Sequence, residues 1–251
     1  MTFTADSHCA AEVAAAVNFN ERRTPVDLLL LHYTGMEDGA KAQQWLCVPE
    51  SQVSCHYIVH EDGRIVQMVA EDARAWHAGA GSWQGREDVN SRSIGIEIVN
   101  PGHEFGYPDF PDTQIAAVIE LCSDIVSRWR EIVPRNVLAH SDIAPGRKRD
   151  PGEKFPWRRL HEAGIGHWVE PAALAGGRFL TLGDGGPPVE ALQEMLSLYG
   201  YGIVRSGEFD QQTAQVVTAF QRHFRPQKVD GVADVSTVET LYRLLQTPAQ
   251  S

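Results

Sequence analysis

One stretch rich in glycine and proline divides the sequence into two parts with different patterns. Such stretches mark boundaries between folded units because they favour turns and exposed chain. We therefore predict a first domain over residues 1–171, a linker over 172–188 and a second domain over 189–251. The residues that define the boundary are Pro171, Gly176, Gly177, Gly183, Gly185, Gly186, Pro187 and Pro188.

Upstream of the boundary, short apolar runs alternate with helical patterns. The runs cover residues 28–33, 56–60, 64–69, 94–99 and 137–140. This alternation predicts an α/β fold, a mixed β-sheet flanked by helices. The clearest helix should have Pro111 in its first turn. One face of this helix should pack on the sheet through Ile115, Val118, Ile119, Cys122, Ile125, Val126 and Trp129.

Downstream of the boundary, three amphipathic stripes predict a small all-α, three-helix domain. The sequence there also repeats weakly, since Leu192-Gln193 and Phe220-Gln221 are each followed by an Asp and then a Thr three residues later. We expect the stripes to close a core of their own, so that this tail could be removed. The stripes begin at Val189, Thr213 and Val238.

Composition and charge exclude several classes of protein. With 22 basic and 33 acidic residues the net charge is −11, which argues against a nucleic-acid partner. The apolar run Val26–Tyr33 is too short to span a membrane, and the four cysteines have no CxxC spacing, which favours free thiols. The first basic residue is Arg22, so the beginning of the chain is not typical of a secretory signal. We expect a cytoplasmic protein, or a periplasmic one if a targeting segment has been removed.

Two histidines and one aspartate could form a metal site. His32 and His140 each end an apolar strand, and Asp150 closes a segment dense in turn-forming residues. Two imidazoles and a carboxylate are the ligands of an open, hydrolytic zinc site. The same residues also fit a charged, solvated loop, and their spacing alone favours neither interpretation.

The segment before Asp150 carries three basic residues. Asp150 precedes Pro151, which favours extended chain at that position. In extended chain alternate side chains point the same way, so Lys148 should face the same side as Asp150. Arg147 and Arg149 should face the opposite side.

The run SIGIEIVN predicts a strand with two different faces. Ile94, Ile96 and Ile98 share one face, and Gly95 and Glu97 lie on the other. Glu97 is either solvated or faces the metal, where it could accept a proton from water. Gly95 would then leave room for substrate.

Four runs of the first domain occur in order between about Asn18 and Trp168: LLLLHYTG, VSCHYIVHEDGRIVQMVAEDARAWHAG, SIGIEIVNPG and HSDIAPGRKRDPGEKFPW. Together they resemble the zinc-dependent type 2 N-acetylmuramoyl-L-alanine amidases, an AmpD-like branch that shares the fold of peptidoglycan recognition proteins. Through LQEMLSLYGYGIVRSGEFDQQTAQVVTAFQRHF, the tail is similar to the type 1 peptidoglycan-binding domain.

The resemblance implies a role for each candidate residue. It makes His32, His140 and Asp150 the zinc ligands, Glu97 the residue that activates water and Lys148 the stabiliser of the oxyanion. The implied reaction is hydrolysis of the amide bond between N-acetylmuramic acid and L-alanine, in cell wall recycling or remodelling. The implied partners are peptidoglycan or muropeptide fragments, and we expect a monomer.

Tyr33, Trp76 and His77 lie near the ligands in sequence and are candidates to line the substrate groove, although each fits a core position equally well.

One alternative function is that of a recognition protein on the same fold, which binds muropeptide without cutting it. Such a protein would need no third metal ligand and no general base. Another is a glycosidase, which would need two carboxylates that flank a sugar bond. The tail either binds the wall or stabilises the first domain.

Overall fold

The computed structural model describes residues 3–247, so residues 1, 2 and 248–251 of the predicted domains lie outside the described range. Within this range no helix is both long and apolar enough to cross a bilayer. The strands are β1 (Glu12–Val13), β2 (Phe19–Glu21), β3 (Leu28–Tyr33), β4 (Tyr57–Val59), β5 (Ile65–Gln67), β6 (Ala73–Ala75), β7 (Ser93–Ile98) and β8 (Val137–Ala139). The α-helices are α1 (Gly39–Cys47), α2 (Val89–Arg92), α3 (Asp112–Arg128), α4 (His140–Ile143), α5 (Trp157–Glu162), α6 (Pro187–Tyr199), α7 (Gln211–Phe224) and α8 (Val235–Gln246).

Six strands form one mixed sheet in the order β1-β5-β4-β7-β3-β8. Strands β4, β7, β3 and β8 run parallel to one another, whereas β5 is antiparallel to β4. The leucines of β3, residues 28–31, are fully buried, as expected for a parallel strand covered on both faces. The predicted mixed sheet flanked by helices is confirmed.

Two predicted element boundaries shift by one residue. Helix α3 begins at Asp112, so Pro111 lies just before the helix rather than in its first turn. Strand β8 ends at Ala139, and His140 is already the first residue of the short helix α4. The predicted face of α3 is correct, and its buried residues include Ile115, Val118, Cys122 and Ile125.

The tail contains the predicted repeat. In each half a fully buried glutamine, Gln193 or Gln221, donates its side-chain amide to a backbone carbonyl of the following loop, at Glu208 or Val232. The next helix then begins after an aspartate whose side chain accepts a hydrogen bond from the amide three residues further on. The repeated sequence therefore encodes a repeated helix-loop-helix connection, with capping residues Asp210 and Asp234.

The tail does not have a separate core. Buried apolar residues on both sides of the Gly/Pro stretch belong to one cluster. The Trp83 ring lies 5.2 Å from the Tyr201 ring, and Trp168 lies 6.3 Å from Phe224. The expectation of an independent core is therefore wrong for the described residues, because the tail helices also direct aromatic side chains at the first domain.

Part of the predicted linker pairs with the tail. Leu180 forms an antiparallel bridge with Ala233, and Gly185 forms one with Glu208. Helix α6 begins at Pro187, two residues before the predicted start of the second domain. The division into 1–171, 172–188 and 189–251 stays a prediction.

Candidate active site

Two candidate side chains are paired on neighbouring strands, and a third follows directly after the next strand. His32 on β3 pairs with Glu97 on β7. Leu31 pairs with Ala139 at the end of β8, so His140 follows directly beside this pair. Residues paired on neighbouring strands point to the same face, and the carboxyl ends of such strands are where α/β sheets place their sites.

The two histidines converge with Asp150, which follows α4 by seven residues. The Nδ1 atoms of His32 and His140 are 2.9 Å apart, and they lie 3.0 and 2.8 Å from Asp150 Oδ2. All three side chains are buried. Within the described residues this trio is one of two groups whose His, Cys, Asp or Glu donor atoms could hold a metal ion.

Hydrogen bonds on the far side of each ring fix which nitrogen faces the trio. His140 Nε2 lies 2.9 Å from the Ala78 carbonyl oxygen, which can only accept, so this nitrogen carries the proton. In the neutral ring the lone pair is then on Nδ1, the atom that faces Asp150. Such outer partners commonly set the tautomer of metal-binding histidines.

A chain of three hydrogen bonds does the same for His32. The Ser93 hydroxyl donates to the Val89 carbonyl at 2.6 Å, so its oxygen accepts from His77 Nε2 at 3.2 Å. His77 Nδ1 then accepts from His32 Nε2 at 3.0 Å. His32 is left with a lone pair on Nδ1, the atom that faces His140 and Asp150.

The ionisation states suit a cation. Burial and the neighbouring His140 lower the pKa of His32 to about 4, although Asp150 opposes this shift. Burial alone would raise the pKa of Asp150, but the two histidines hold it well below its usual range. With the outer hydrogen bonds described above, His32 Nδ1, His140 Nδ1 and Asp150 Oδ2 lie within 3.0 Å of one another, and in the neutral rings each atom directs a lone pair at the other two. That arrangement is repulsive unless a cation lies among them, so the donor set fits a zinc ion.

Glu97 lies in the cleft above this trio. Its Oε2 atom is buried and has no hydrogen-bond partner. Burial and the charge of Asp150 raise the pKa of Glu97 well above its usual value, and Lys148 partly opposes the shift.

Gly95 does not make room for substrate as expected, because a Cβ there would lie 2.4 Å from the His77 ring. The absence of a side chain at Gly95 instead admits His77.

His140 and Asp150 line a cleft with a volume of about 540 Å³, and His32 lies buried behind them. Lys148 lines it as predicted, but Arg147 and Arg149 line it too. The predicted alternation of these side chains is wrong because residues 145–147 form a turn, and the Lys148 amide donates to the Ala144 carbonyl. The cleft consequently has one strongly basic wall.

The three predicted groove residues have different positions. Tyr33 and His77 line the cleft. Trp76 does not, because its indole N–H donates to Asn20 away from the cleft, so that expectation is wrong. Trp45 on α1, which is 46% exposed, lines the cleft instead and was missed. The signal that could have identified it is a bulky aromatic on the polar side of a short amphipathic helix. The other apolar lining residues include Met36, Ala42, Leu46, Val53 and Pro101.

Comparison with known families defines the class of protein. The sequence profile of the family described as N-acetylmuramoyl-L-alanine amidase matches residues 22–153, which include all the candidate residues. A second profile, described as "Putative peptidoglycan binding domain", matches residues 185–241. This chain belongs to the N-acetylmuramoyl-L-alanine amidase family, and it is an enzyme of that class with a C-terminal peptidoglycan-binding domain.

Individual relatives extend the likeness over nearly the whole chain. The N-acetylmuramoyl-L-alanine amidase AmiD of Escherichia coli is 38% identical over 90% of this chain and 84% of its own length. Its structure in complex with the substrate anhydro-N-acetylmuramic acid-L-Ala-D-γ-Glu-L-Lys matches with a TM-score of 0.77. The structure of AmpDh3 from Pseudomonas aeruginosa, 33% identical, covers 97% of both chains with a TM-score of 0.73. These findings favour an enzyme over a non-cleaving recognition protein, and they confirm the predicted family.

Proposed function

We propose that zinc held by His32, His140 and Asp150 enables this chain to hydrolyse the amide bond between N-acetylmuramic acid and L-alanine in muropeptides. One observation carries the proposal. Three donor atoms converge where His140 and Asp150 line an open cleft, and Glu97, whose buried Oε2 has no hydrogen-bond partner, lines the same cleft. An acid-base group next to a metal donor set is the arrangement of metal-assisted hydrolysis.

The side chains divide the chemistry among them. When bound, zinc polarises the scissile carbonyl and lowers the pKa of water to about 7. Glu97 accepts the proton of the attacking water, and its raised pKa allows it to keep that proton. Glu97 then delivers the proton to the departing amine of L-alanine. The Lys148 ammonium, on the cleft wall, stabilises the negative oxygen of the tetrahedral intermediate.

The lining of the cleft suggests how a muropeptide binds. AmiD binds a muramyl tripeptide whose D-γ-Glu and terminal carboxyl groups are anionic. In this chain the basic wall of Arg147 and Arg149 offers partners for such carboxylates. The exposed Trp45, which lines the same cleft, offers an apolar surface for the sugar ring.

Three further assignments are part of this proposal. We infer that the tail contributes to binding of the polymeric wall, in keeping with the profile that it matches. We infer a monomer, to be checked by sedimentation, and a cytoplasmic location, to be checked by fractionation against the periplasmic alternative. A cytoplasmic enzyme would act on soluble turnover fragments rather than on intact wall.

The proposal is tested by metal removal and readdition. The chelated protein should release no peptide from an anhydro-muropeptide, and added zinc should restore cleavage, read by mass spectrometry of the products. His32→Ala should abolish both zinc binding and cleavage, whereas His161→Ala, at an exposed histidine on α5, should change neither.

Full-rate cleavage by the metal-free protein would contradict the zinc assignment. Binding without any released peptide would instead identify a recognition protein. A parallel incubation with intact sacculi measures the preference between soluble and polymeric substrate.

A further inference from the structure

A fully buried carboxylate links the metal site to the tail. Asp142 lies on α4, two residues after His140. Its Oδ2 accepts from the Ala139 backbone amide at 2.8 Å and from His223 Nδ1 at 2.6 Å. Its Oδ1 accepts from the Tyr201 hydroxyl at 2.7 Å. Two of its three donors therefore come from the tail, and the third is the backbone immediately before His140.

Packing holds both tail donors in place. The His223 ring stacks on Trp157 of the first domain, with centroids 3.7 Å apart. Tyr201 lies edge-on to Trp83, and the two residues also form a backbone bridge. Because a carboxylate can only accept, His223 Nδ1 carries the proton of its bond to Asp142. The tail thus presents two oriented donors rather than two mobile side chains.

Helix α7 also reaches the rest of the ligand-bearing segment, residues 140–153. A Cβ on Gly146 would lie 2.5 Å from Gln215 Oε1, so the helix packs directly against the middle of the segment. Arg222 Nε lies 3.7 Å from Glu153 Oε2, three residues beyond Asp150. One helix of the tail therefore contacts the beginning, the middle and the end of the segment that carries two of the three candidate ligands.

We propose that the tail is a positioning element of the metal site, in which Tyr201 and His223 act through Asp142 and Arg222 acts through Glu153. This inference rests on the proposed role of His140 and Asp150 as ligands. A buried carboxylate that loses its donors is strongly destabilised. Without the tail, Asp142 cannot stay buried, and the turn that begins at Ala139 must rearrange. Metal ligands tolerate displacements of only about 0.5 Å, so zinc binding falls when the segment moves.

The same contacts could in principle stabilise the fold without affecting the site, and a matched pair of variants separates the two roles. Tyr201→Phe removes one hydroxyl from Asp142. Tyr199→Phe removes a hydroxyl that lies 2.9 Å from His167, away from the ligand segment. Both tyrosines are buried, and both pack on Trp83. The two substitutions should therefore cost similar thermal stability.

The closing experiment measures zinc affinity by chelator competition, and kcat and KM on a soluble muropeptide, for the full-length protein and both variants. Tyr201→Phe should weaken zinc binding by up to about tenfold and lower kcat with KM nearly unchanged, less than the loss of a direct partner of a metal ligand, because Tyr201 acts through Asp142. Tyr199→Phe should match the unsubstituted protein in all three values. Equal zinc affinity and equal kcat in both variants would overturn the inference and leave the tail a stabilising unit.

Two further measurements keep the outcome decisive. Hydrogen exchange of the backbone in residues 139–153 of the zinc-free protein should increase in Tyr201→Phe and not in Tyr199→Phe. If Tyr201→Phe does not fold, Arg222→Gln tests the other end of the segment and should also weaken zinc binding, whereas unchanged binding would count against the proposal. If the unsubstituted protein binds no zinc, the proposed function fails; if it binds zinc and the variants do not differ, this inference alone fails.

Discussion

His77 lies between the cleft and a metal ligand, and its substitution tests which of the two it serves. In the structure its Nδ1 accepts from His32 Nε2, and its Nε2 donates to Ser93. His77→Phe keeps a ring of similar size in the space that Gly95 leaves but removes both hydrogen bonds. His32 then loses the partner that fixes its tautomer. We therefore expect the variant to bind zinc more weakly.

The size of the effect follows from the position of His77. It is the outer partner of a ligand, and loss of such a partner weakens metal binding or activity about 10- to 100-fold. This corresponds to about 1.4–2.7 kcal/mol of binding free energy. Ser93→Ala should cost less, below about tenfold, because His77 itself remains. His77→Asn should recover part of the loss, because its side-chain oxygen can accept from His32 Nε2.

The assay compares zinc dissociation constants, measured by chelator competition, with kcat and KM at saturating zinc. Saturating zinc should restore most of the kcat of His77→Phe. A variant with unchanged zinc affinity and a raised KM would refute this reasoning. It would show that His77 acts on substrate, as its place in the cleft wall also allows.

The remaining predictions concern catalysis, the tail and pH. Glu97→Gln should lower kcat by about 10²–10⁴ and Lys148→Ala by about 10²–10³, both with zinc retained; a near-normal kcat would remove that residue from the mechanism. Truncation after Glu170 should abolish cleavage of soluble muropeptide and expose apolar surface, because the two parts share one core; an active, monomeric fragment would contradict this. Burial lowers the pKa of His56 to about 3. The unfolded chain then binds a proton that the folded protein does not, so the stability of the zinc-free protein should fall as pH drops from about 6.5 towards 3. The loss should reach up to about 1.4 kcal/mol per pH unit, and urea unfolding of the His56→Gln variant should show a shallower dependence.

Much of the site follows from strand patterns in the sequence. The alternation of Ile94, Ile96 and Ile98 places Glu97 on the opposite face of its strand, and the apolar run before His32 places that histidine at a strand end. Burial on both faces makes β3 a continuous apolar run, and such runs are visible without a structure. The residues that belong to regular strands were therefore placed correctly.

The sequence-based predictions are wrong where the backbone is irregular or where two domains pack against each other. Arg147 and Arg149 were assigned by extended-chain alternation, but the turn at 145–147 removes that period. Trp76 is an aromatic residue near the candidate ligands in sequence, but it lies just beyond β6, where no strand period fixes the direction of its side chain. The shared core was missed because an amphipathic pattern shows that a helix face is buried, not what it is buried against. Nothing in the sequence indicates that Tyr201 and His223 donate hydrogen bonds to Asp142, because they lie 59 and 81 residues away from it.

The donors to Asp142 bear on how this architecture can evolve by domain shuffling. A wall-binding module joined by a free tether can be exchanged for another by recombination, because neither half depends on the surface chemistry of its neighbour. Here a recombinant with an unrelated module would leave the Asp142 carboxylate without its tyrosine and histidine. The exchange would succeed only together with a change at residue 142, so the two halves of this gene are expected to be inherited as one unit.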